Sequence, residues 1–97
     1  MAGQQSYELM IIVKPHLSEE ARAELQKRFT SELGKLKGEV KQTDVWGKKH
    51  LAYDIDGFNE GYYIVYQLEM PKSAVKDLNE YLRLNTDVIR YLVSIAE

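Results

Sequence analysis

The order of strand-like and helix-like segments is the feature that most limits the fold of this chain. Four runs rich in β-branched and aromatic residues lie at 7–13, 39–56, 62–70 and 88–95. Two other segments, which follow Ser18 and Ser73, carry apolar residues at spacings of three and four. Right-handed crossovers in a β-α-β-β-α-β chain place both helices on the same side. We therefore predict an α+β, ferredoxin-like fold: a four-stranded antiparallel sheet with two helices on one face.

Turn and cap residues mark the predicted boundaries of the first half. Pro15 ends the first strand, and Ser18, followed by two glutamates, is typical of a helix N-cap. Gly34 and Gly38 bracket the end of that helix. Gly47 interrupts the second strand, which indicates a bulge or a sharp local twist.

Three further signals divide the second half. The segment 56–61, Asp-Gly-Phe-Asn-Glu-Gly, is predicted to be a hairpin loop between the second and third strands. Ser73 is the predicted N-cap of the second helix, and Asn85 is its predicted end.

The length of the chain predicts one domain. A chain of 97 residues, with 44 % hydrophobic and 29 % charged residues, suits a single globular unit. We place this domain at 7–97, behind a disordered lead-in at 1–6. The lead-in lacks the basic and apolar regions of a signal peptide, and no apolar run reaches the roughly 20 residues of a membrane span. We therefore expect a cytoplasmic protein with no membrane partner.

Composition excludes several kinds of site. The chain has no cysteine, which removes disulfides, thiol catalysis and Cys-ligated metal centres. Two histidines, His16 and His50, are too few for a His-based metal site, so we expect no metal and no cofactor. The net charge of −2 argues against a protein that coats nucleic acid by bulk charge, but it allows a local basic patch.

The predicted sheet carries apolar residues on both faces. Two helices cover only one face, so the other face should expose an apolar, tyrosine-bearing patch. Such patches often mark interaction sites; the alternative is ordinary surface hydrophobes covered by a loop or by the second strand. We favour docking of a protein partner. The residues that strand alternation assigns to this face are Met10, Ile12, Tyr63, Val65 and Leu92.

The segment 46–53, Trp-Gly-Lys-Lys-His-Leu-Ala-Tyr, combines cations with aromatic rings. Lysines contact phosphates, and aromatic or imidazole rings stack on unpaired bases, so Lys48, Lys49 and His50 are candidate RNA-binding residues. The alternative is a charged strand edge that discourages edge-to-edge pairing. From composition alone, the charged edge is the favoured interpretation.

Catalysis has little support. No glycine-rich phosphate loop precedes a helix, and no Ser-His-Asp spacing is present. The RNA-recognition motif has this topology, but Ile64 and Gln67 replace two aromatic residues of its stacking platform. Acylphosphatases share the topology too, but the loop 14–17 lacks the arginine that they need. We therefore predict that the protein is not an enzyme and takes no small-molecule substrate.

The run 47–55, Gly-Lys-Lys-His-Leu-Ala-Tyr-Asp-Ile, resembles the signature of a known family, the sixth protein of the bacterial small ribosomal subunit. Supporting stretches lie at 7–8, 60–63, 69–71 and 82–93, so the resemblance covers essentially 6–95. Asp54 departs from the family, which commonly has proline there.

The resemblance implies a non-catalytic structural constituent of the small subunit. It implies binding to the central domain of 16S ribosomal RNA together with the eighteenth small-subunit protein, as a heterodimer. An acidic net charge fits this role, because a protein that binds mainly through its partner needs no large basic excess. We assign Lys48, Lys49 and His50 to RNA, with Arg90 and Lys14 as weaker candidates.

Two rival functions stay open. The first is a homo-oligomeric sensor module that associates with itself through the open sheet face. The second is a small enzyme with a site on that face, which should show a cleft with strongly shifted titratable groups.

Overall fold

The computed structural model describes residues 4–96 and has the predicted order of elements. All strand pairs are antiparallel, and the strand order across the sheet is β2-β3-β1-β4. The predicted ferredoxin-like fold is confirmed. The elements are β1 (Gln4–Val13), α1 (Glu19–Lys35), β2 (Glu39–Ile55), β3 (Phe58–Pro71), a short 3-10 turn (Lys72–Ala74), α2 (Val75–Leu84) and β4 (Val88–Ile95).

Helix α1 is capped at both ends. The Ser18 hydroxyl accepts a hydrogen bond from the Ala21 amide at 3.0 Å, which confirms the predicted N-cap. At the other end, the Gly38 amide donates to the Leu33 carbonyl at 2.9 Å, and the Lys37 amide donates to the Gly34 carbonyl at 3.1 Å. This pair of bonds is the Schellman motif, and Lys37, with φ 67°, occupies its left-handed position.

The core lies between the helices and the sheet face that they cover. Leu25, Phe29 and Leu33 point from α1 onto the sheet, where the ring centroids of Phe29 and Tyr66 are 4.6 Å apart. Leu78 enters the same core from α2. The strand residues of the core follow the expected alternation: Tyr7, Leu9, Ile11, Val13, Ile64, Tyr66 and Leu68.

The first strand begins earlier than predicted. Gln4, Gln5 and Ser6 pair with the segment 69–71 of β3, so a disordered lead-in is wrong for these three residues. The longer β3 supplies their partner, and the Gln4 side chain also donates to the Lys37 carbonyl at 2.8 Å. Residues 1–3 of the predicted lead-in lie outside the described residues.

Two other predicted boundaries are wrong. The predicted hairpin loop is in fact the two-residue turn Asp56-Gly57, whose φ angles of 51° and 82° are those of a type I′ turn. Strand β3 begins directly after it, at Phe58. Ser73 does not cap α2, because it lies inside the 3-10 turn, and the N-cap position is held by Ala74 without a side-chain bond. Asn85 ends α2 in extended geometry, as predicted.

Candidate interaction surfaces

The β2–β3 hairpin extends beyond the four-stranded part of the sheet. Pairing between β1 and β3 stops at Val13 and Tyr62, whereas β2 and β3 pair beyond that point, at Lys49 and His50 and again, after a register shift, at Ile55 with Phe58. Residues 49–61 therefore form a two-stranded projection, called the ribbon below, and the pair Lys48–Tyr62 lies at its base. The protein accordingly measures 44 Å in its longest dimension and 26 Å and 22 Å in the others.

A bulge in β2 lies where the ribbon begins. Val45 is opposite Ile64 and Gly47 is opposite Tyr63, so Trp46 is an extra residue without a partner of its own. Gly47 has φ 86°, a conformation that a residue with a side chain rarely adopts. The predicted interruption at Gly47 is confirmed.

The three candidate RNA-binding residues alternate between the two sides of the ribbon. Lys48 is paired with Tyr62 and lies on the helix side, whereas Lys49 is paired with Gly61 and lies on the open face, the side of the sheet away from the helices. His50 returns to the helix side. All three side chains extend from the ribbon on alternate sides, so their charges do not form one cluster.

Neighbouring side chains interact with two of these residues. The Lys49 ammonium is 5.8 Å from the centroid of the Trp46 ring, within range of a cation–π contact. The His50 Nε2 is 3.8 Å from a carboxylate oxygen of Glu60 on the facing strand.

The weaker candidates lie in different places. Lys14 directly follows β1 at the base of the ribbon, where its amide donates to the Asp87 carbonyl at 3.0 Å. Arg90 is on β4, opposite Ile12, and β4 and β2 are the two outer strands of the sheet. Lys14 therefore follows the strand end that pairs with Tyr62, next to the base of the ribbon, whereas Arg90 lies on the outer strand farthest from β2.

The ribbon and its base are braced against the β1–α1 connection and the first turn of α1. The Arg22 guanidinium lies 4.1 Å from the centroid of the Tyr62 ring and also donates to the Leu17 carbonyl at 2.7 Å. His16 stacks on Phe58, with ring centroids 5.9 Å apart. Sequence reasoning missed these contacts because they join distant segments, and no local pattern marks them.

The five predicted docking residues all lie on the open face. Met10 is paired with Val65 on one side and with Leu92 on the other. Ile12 is paired in the same way with Tyr63 and with Arg90. Strand alternation therefore assigned these side chains to the correct side of the sheet.

Exposure differs widely within this set. Leu92 is 58 % exposed, but Val65 and Ile12 are only 5 % and 6 % exposed. Ile12 packs close to the backbone of the adjacent strand, since a Cβ at Gly61 would lie 2.2 Å from its Cγ2. The apolar surface available to a partner is therefore smaller than the residue pattern predicts.

Trp46 belongs to the open face, which sequence reasoning missed. Its ring stacks on Tyr63 at a centroid distance of 6.3 Å and an angle of 12°, and it is 53 % exposed. With Met10, Val65 and Leu92 it lines a hollow of about 100 Å³. The bulge was the available signal, because an unpaired residue can turn its side chain across the neighbouring strand.

Shifted pKa values are found on the helix side of the sheet rather than on the open face. Burial raises the pKa of Tyr66 far above its usual range, and its hydroxyl has no hydrogen-bond partner among the described residues. Burial, and then the nearby Glu32 carboxylate, raise the pKa of Tyr81. Neither side chain belongs to the open face, so these shifts do not mark a catalytic cleft there.

Residues 4–96 contain no group of three acidic, His or Cys side chains placed to hold a metal ion. No helix in that range is long and apolar enough to cross a membrane.

Comparison with known proteins gives one family. Residues 6–94 match the family described as ribosomal protein S6. The small ribosomal subunit protein bS6 of Dictyoglomus turgidum is 36 % identical over 93 residues, which cover 96 % of both chains. The bS6 protein of Moorella thermoacetica is 32 % identical, with 96 % of this chain and 95 % of that one covered.

Solved structures agree with this match. The crystal structure of 30S ribosomal protein S6 from Thermotoga maritima superposes with a TM-score of 0.89 at 28 % identity and covers 96 % of this chain and 88 % of that one. The P2 domain of the chemotaxis kinase CheA from the same organism has a TM-score of 0.64 at 19 % identity, over 97 % of this chain and 100 % of that one. The second likeness shows a shared fold only.

Proposed function

The chain belongs to the ribosomal protein S6 family, and we propose that it binds the central domain of 16S ribosomal RNA together with the eighteenth small-subunit protein. The family is a structural, non-enzymatic component of the small ribosomal subunit. The protein is therefore a component of the ribosome in the bacterial cytoplasm. The ribbon and the open face serve assembly rather than catalysis.

The observation that carries the RNA proposal is the projecting ribbon. It carries Lys49 and His50 beyond the body of the protein, with Lys48 at its base, where an RNA surface can approach from either side. Tyr53, 67 % exposed on the same ribbon, offers a ring for stacking. Lys14 adds a cation at the ribbon's base. Cations at these positions would hold phosphates, and exposed rings would contact unpaired bases.

Residues on both sides of the ribbon suit an RNA junction or loop better than a flat surface. Unpaired nucleotides there are accessible from more than one side, and strand alternation gives each side of the ribbon its own contacts. The contacts of Arg22 on Tyr62 and of His16 on Phe58 hold the ribbon in place before binding. A braced ribbon loses less conformational entropy when it binds than a free one does.

The open face supplies the second surface. Its apolar centre, with Trp46 and Leu92 both more than half exposed, has the composition of a protein interface core. Tryptophan in such a position frequently dominates binding energy. The chain's net charge of −2 gives it little bulk attraction for RNA, so a partner bound at this face would add to the affinity of the ribbon's cations.

The test of the RNA surface is the double variant Lys48→Ala/Lys49→Ala, titrated with a central-domain 16S fragment in the presence of the eighteenth protein. Loss of two phosphate contacts should weaken binding roughly tenfold. The negative slope of the logarithm of the association constant against the logarithm of the salt concentration should become shallower by about 1.5. The matched control is Lys27→Ala/Lys35→Ala, two lysines of α1 with the same change of charge. Equal losses in the two double variants would mean that net charge, rather than the ribbon, governs RNA binding.

A further inference from the structure

The open face contains a groove with opposite charges at its two ends. Two hollows, of about 100 Å³ and 300 Å³, share Met10 and Leu92 in their lining. Glu8 lines the first hollow and Arg90 lines the second. The groove formed by the two hollows therefore follows β1 and β4, with Met10 and Leu92 between a carboxylate at one end and a guanidinium at the other.

The pairing register fixes the spacing of these charges. Arg90 is opposite Ile12, and Glu8 is opposite Ser94, so the two charged ends are four residues apart along β1. At the usual rise of a strand, this separation is about 13 Å. Neither charge is neutralised by an ion pair within residues 4–96, and Glu8 only accepts a hydrogen bond from the Gln67 amide at 3.0 Å.

On the basis of the proposed function, we infer that this groove sets the direction in which the protein partner docks. The segment that it takes has an apolar centre, an acidic residue at the Arg90 end and a basic residue at the Glu8 end, about 13 Å apart. Apolar contact with Met10, Leu92 and Trp46 supplies affinity without direction. The charges supply direction, because the reversed segment places like charges together at both ends.

Arg90 then belongs to the protein interface rather than to the RNA surface. Arg90 lies on β4, at one edge of the sheet, whereas Lys48 and Lys49 lie on β2, at the other edge. The residue opposite Arg90 on β1 is the apolar Ile12. A phosphate backbone laid along the groove would meet the Glu8 carboxylate at the other end, which repels it. A polypeptide segment with charges of both signs fits both ends.

The experiment compares three variants in calorimetric titrations with the eighteenth protein: Arg90→Glu, Glu8→Arg, and the two changes combined. Each single reversal should weaken binding about tenfold by placing like charges together at one end. The combined variant has the net charge of the native chain but the opposite polarity, and it should bind more weakly than either single variant. Arg28→Glu, an exposed reversal on α1, is the control and should change affinity less than about twofold. Thermal melts confirm that each variant is folded.

Each outcome has a distinct meaning. Native affinity in the combined variant would overturn the inference, since binding would then depend on total charge alone. Native affinity in both single variants would overturn it as well. If Arg90→Glu instead weakens binding of the 16S fragment in the absence of the partner, Arg90 contacts RNA and the inference is wrong. Failure of the unaltered protein to bind the eighteenth protein would refute the proposed partner itself, which is a separate result.

Discussion

Gly61 allows the ribbon to join the sheet, and its replacement by alanine tests the packing of the open face. A Cβ at Gly61 would lie 2.2 Å from the Ile12 Cγ2, whereas carbon atoms in contact are usually ~3.5–4.0 Å apart. Ile12 is only 6 % exposed and lies between two paired strands, so it has little space in which to move. We expect Gly61→Ala to lower the free energy of unfolding by about 1–3 kcal/mol, the usual cost of overpacking.

The sign of this effect should depend on Ile12. Ile12→Ala alone should cost about 2–5 kcal/mol, because it leaves a cavity beneath the open face. In that background the clash is gone, and the methyl group added at position 61 partly fills the cavity. Gly61→Ala should then be neutral or raise stability by up to about 1 kcal/mol, since glycine in a strand is intrinsically unfavourable. The two changes are therefore strongly coupled.

Urea unfolding of the four proteins in this cycle, followed by circular dichroism, measures the coupling. Gly34→Ala is the matched control, because a Cβ there meets no atom within 4 Å. Near the end of α1 the same substitution should raise stability by about 0.5–1 kcal/mol. The reasoning would be refuted if Gly61→Ala cost the same with and without the Ile12 side chain, or if it had no cost in the native background.

Four further substitutions have defined outcomes. Tyr66→Phe should leave stability unchanged or raise it by up to about 1 kcal/mol, because it removes a buried hydroxyl that has no hydrogen-bond partner within residues 4–96. Burial raises the pKa of Tyr66, so its neutral form stabilises the native chain fully below pH 10.0, the ordinary tyrosine pKa, and this contribution is lost as the pH rises above it. In Tyr66→Phe the free energy of unfolding should therefore fall less between neutral and alkaline pH. Urea titrations across that pH range measure the difference. Lys37→Gly should raise the thermal midpoint, with a gain of about 0.5–1 kcal/mol, because φ 67° favours glycine; an unchanged midpoint would contradict this. Leu92→Asp should weaken binding of the eighteenth protein at least about tenfold without lowering stability, because Leu92 is exposed. Val65→Asp, at a buried position of the same face, should instead destabilise the fold.

The parts of the fold that follow from local pattern could be predicted. Apolar periodicity located both helices and all four strands, and the cap at Ser18 and the bulge at Gly47 follow from residue chemistry close in sequence. Strand alternation also placed Met10 and Leu92 on the open face. These features depend on neighbours only a few residues away, which a single sequence displays directly.

The errors arise where distant segments meet. Residues 4–6 are in a strand because β3 extends far enough to pair with them, and their own composition does not indicate this. Ser73 resembles a cap, but a 3-10 turn occupies the position. The burial of Val65 and the placement of Trp46 across β3 depend on side-chain packing between strands. None of these contacts leaves a periodic signal in the sequence.

We propose above all that this protein binds ribosomal RNA as one half of a heterodimer with the eighteenth small-subunit protein. The most direct measurement titrates a central-domain fragment of 16S RNA with the unaltered chain, with and without the eighteenth protein, at two salt concentrations. We predict tight binding that requires the partner and weakens as salt is raised. Absence of binding under both conditions would contradict the claim; sedimentation showing a stable homo-oligomer would then assign the open face to self-association.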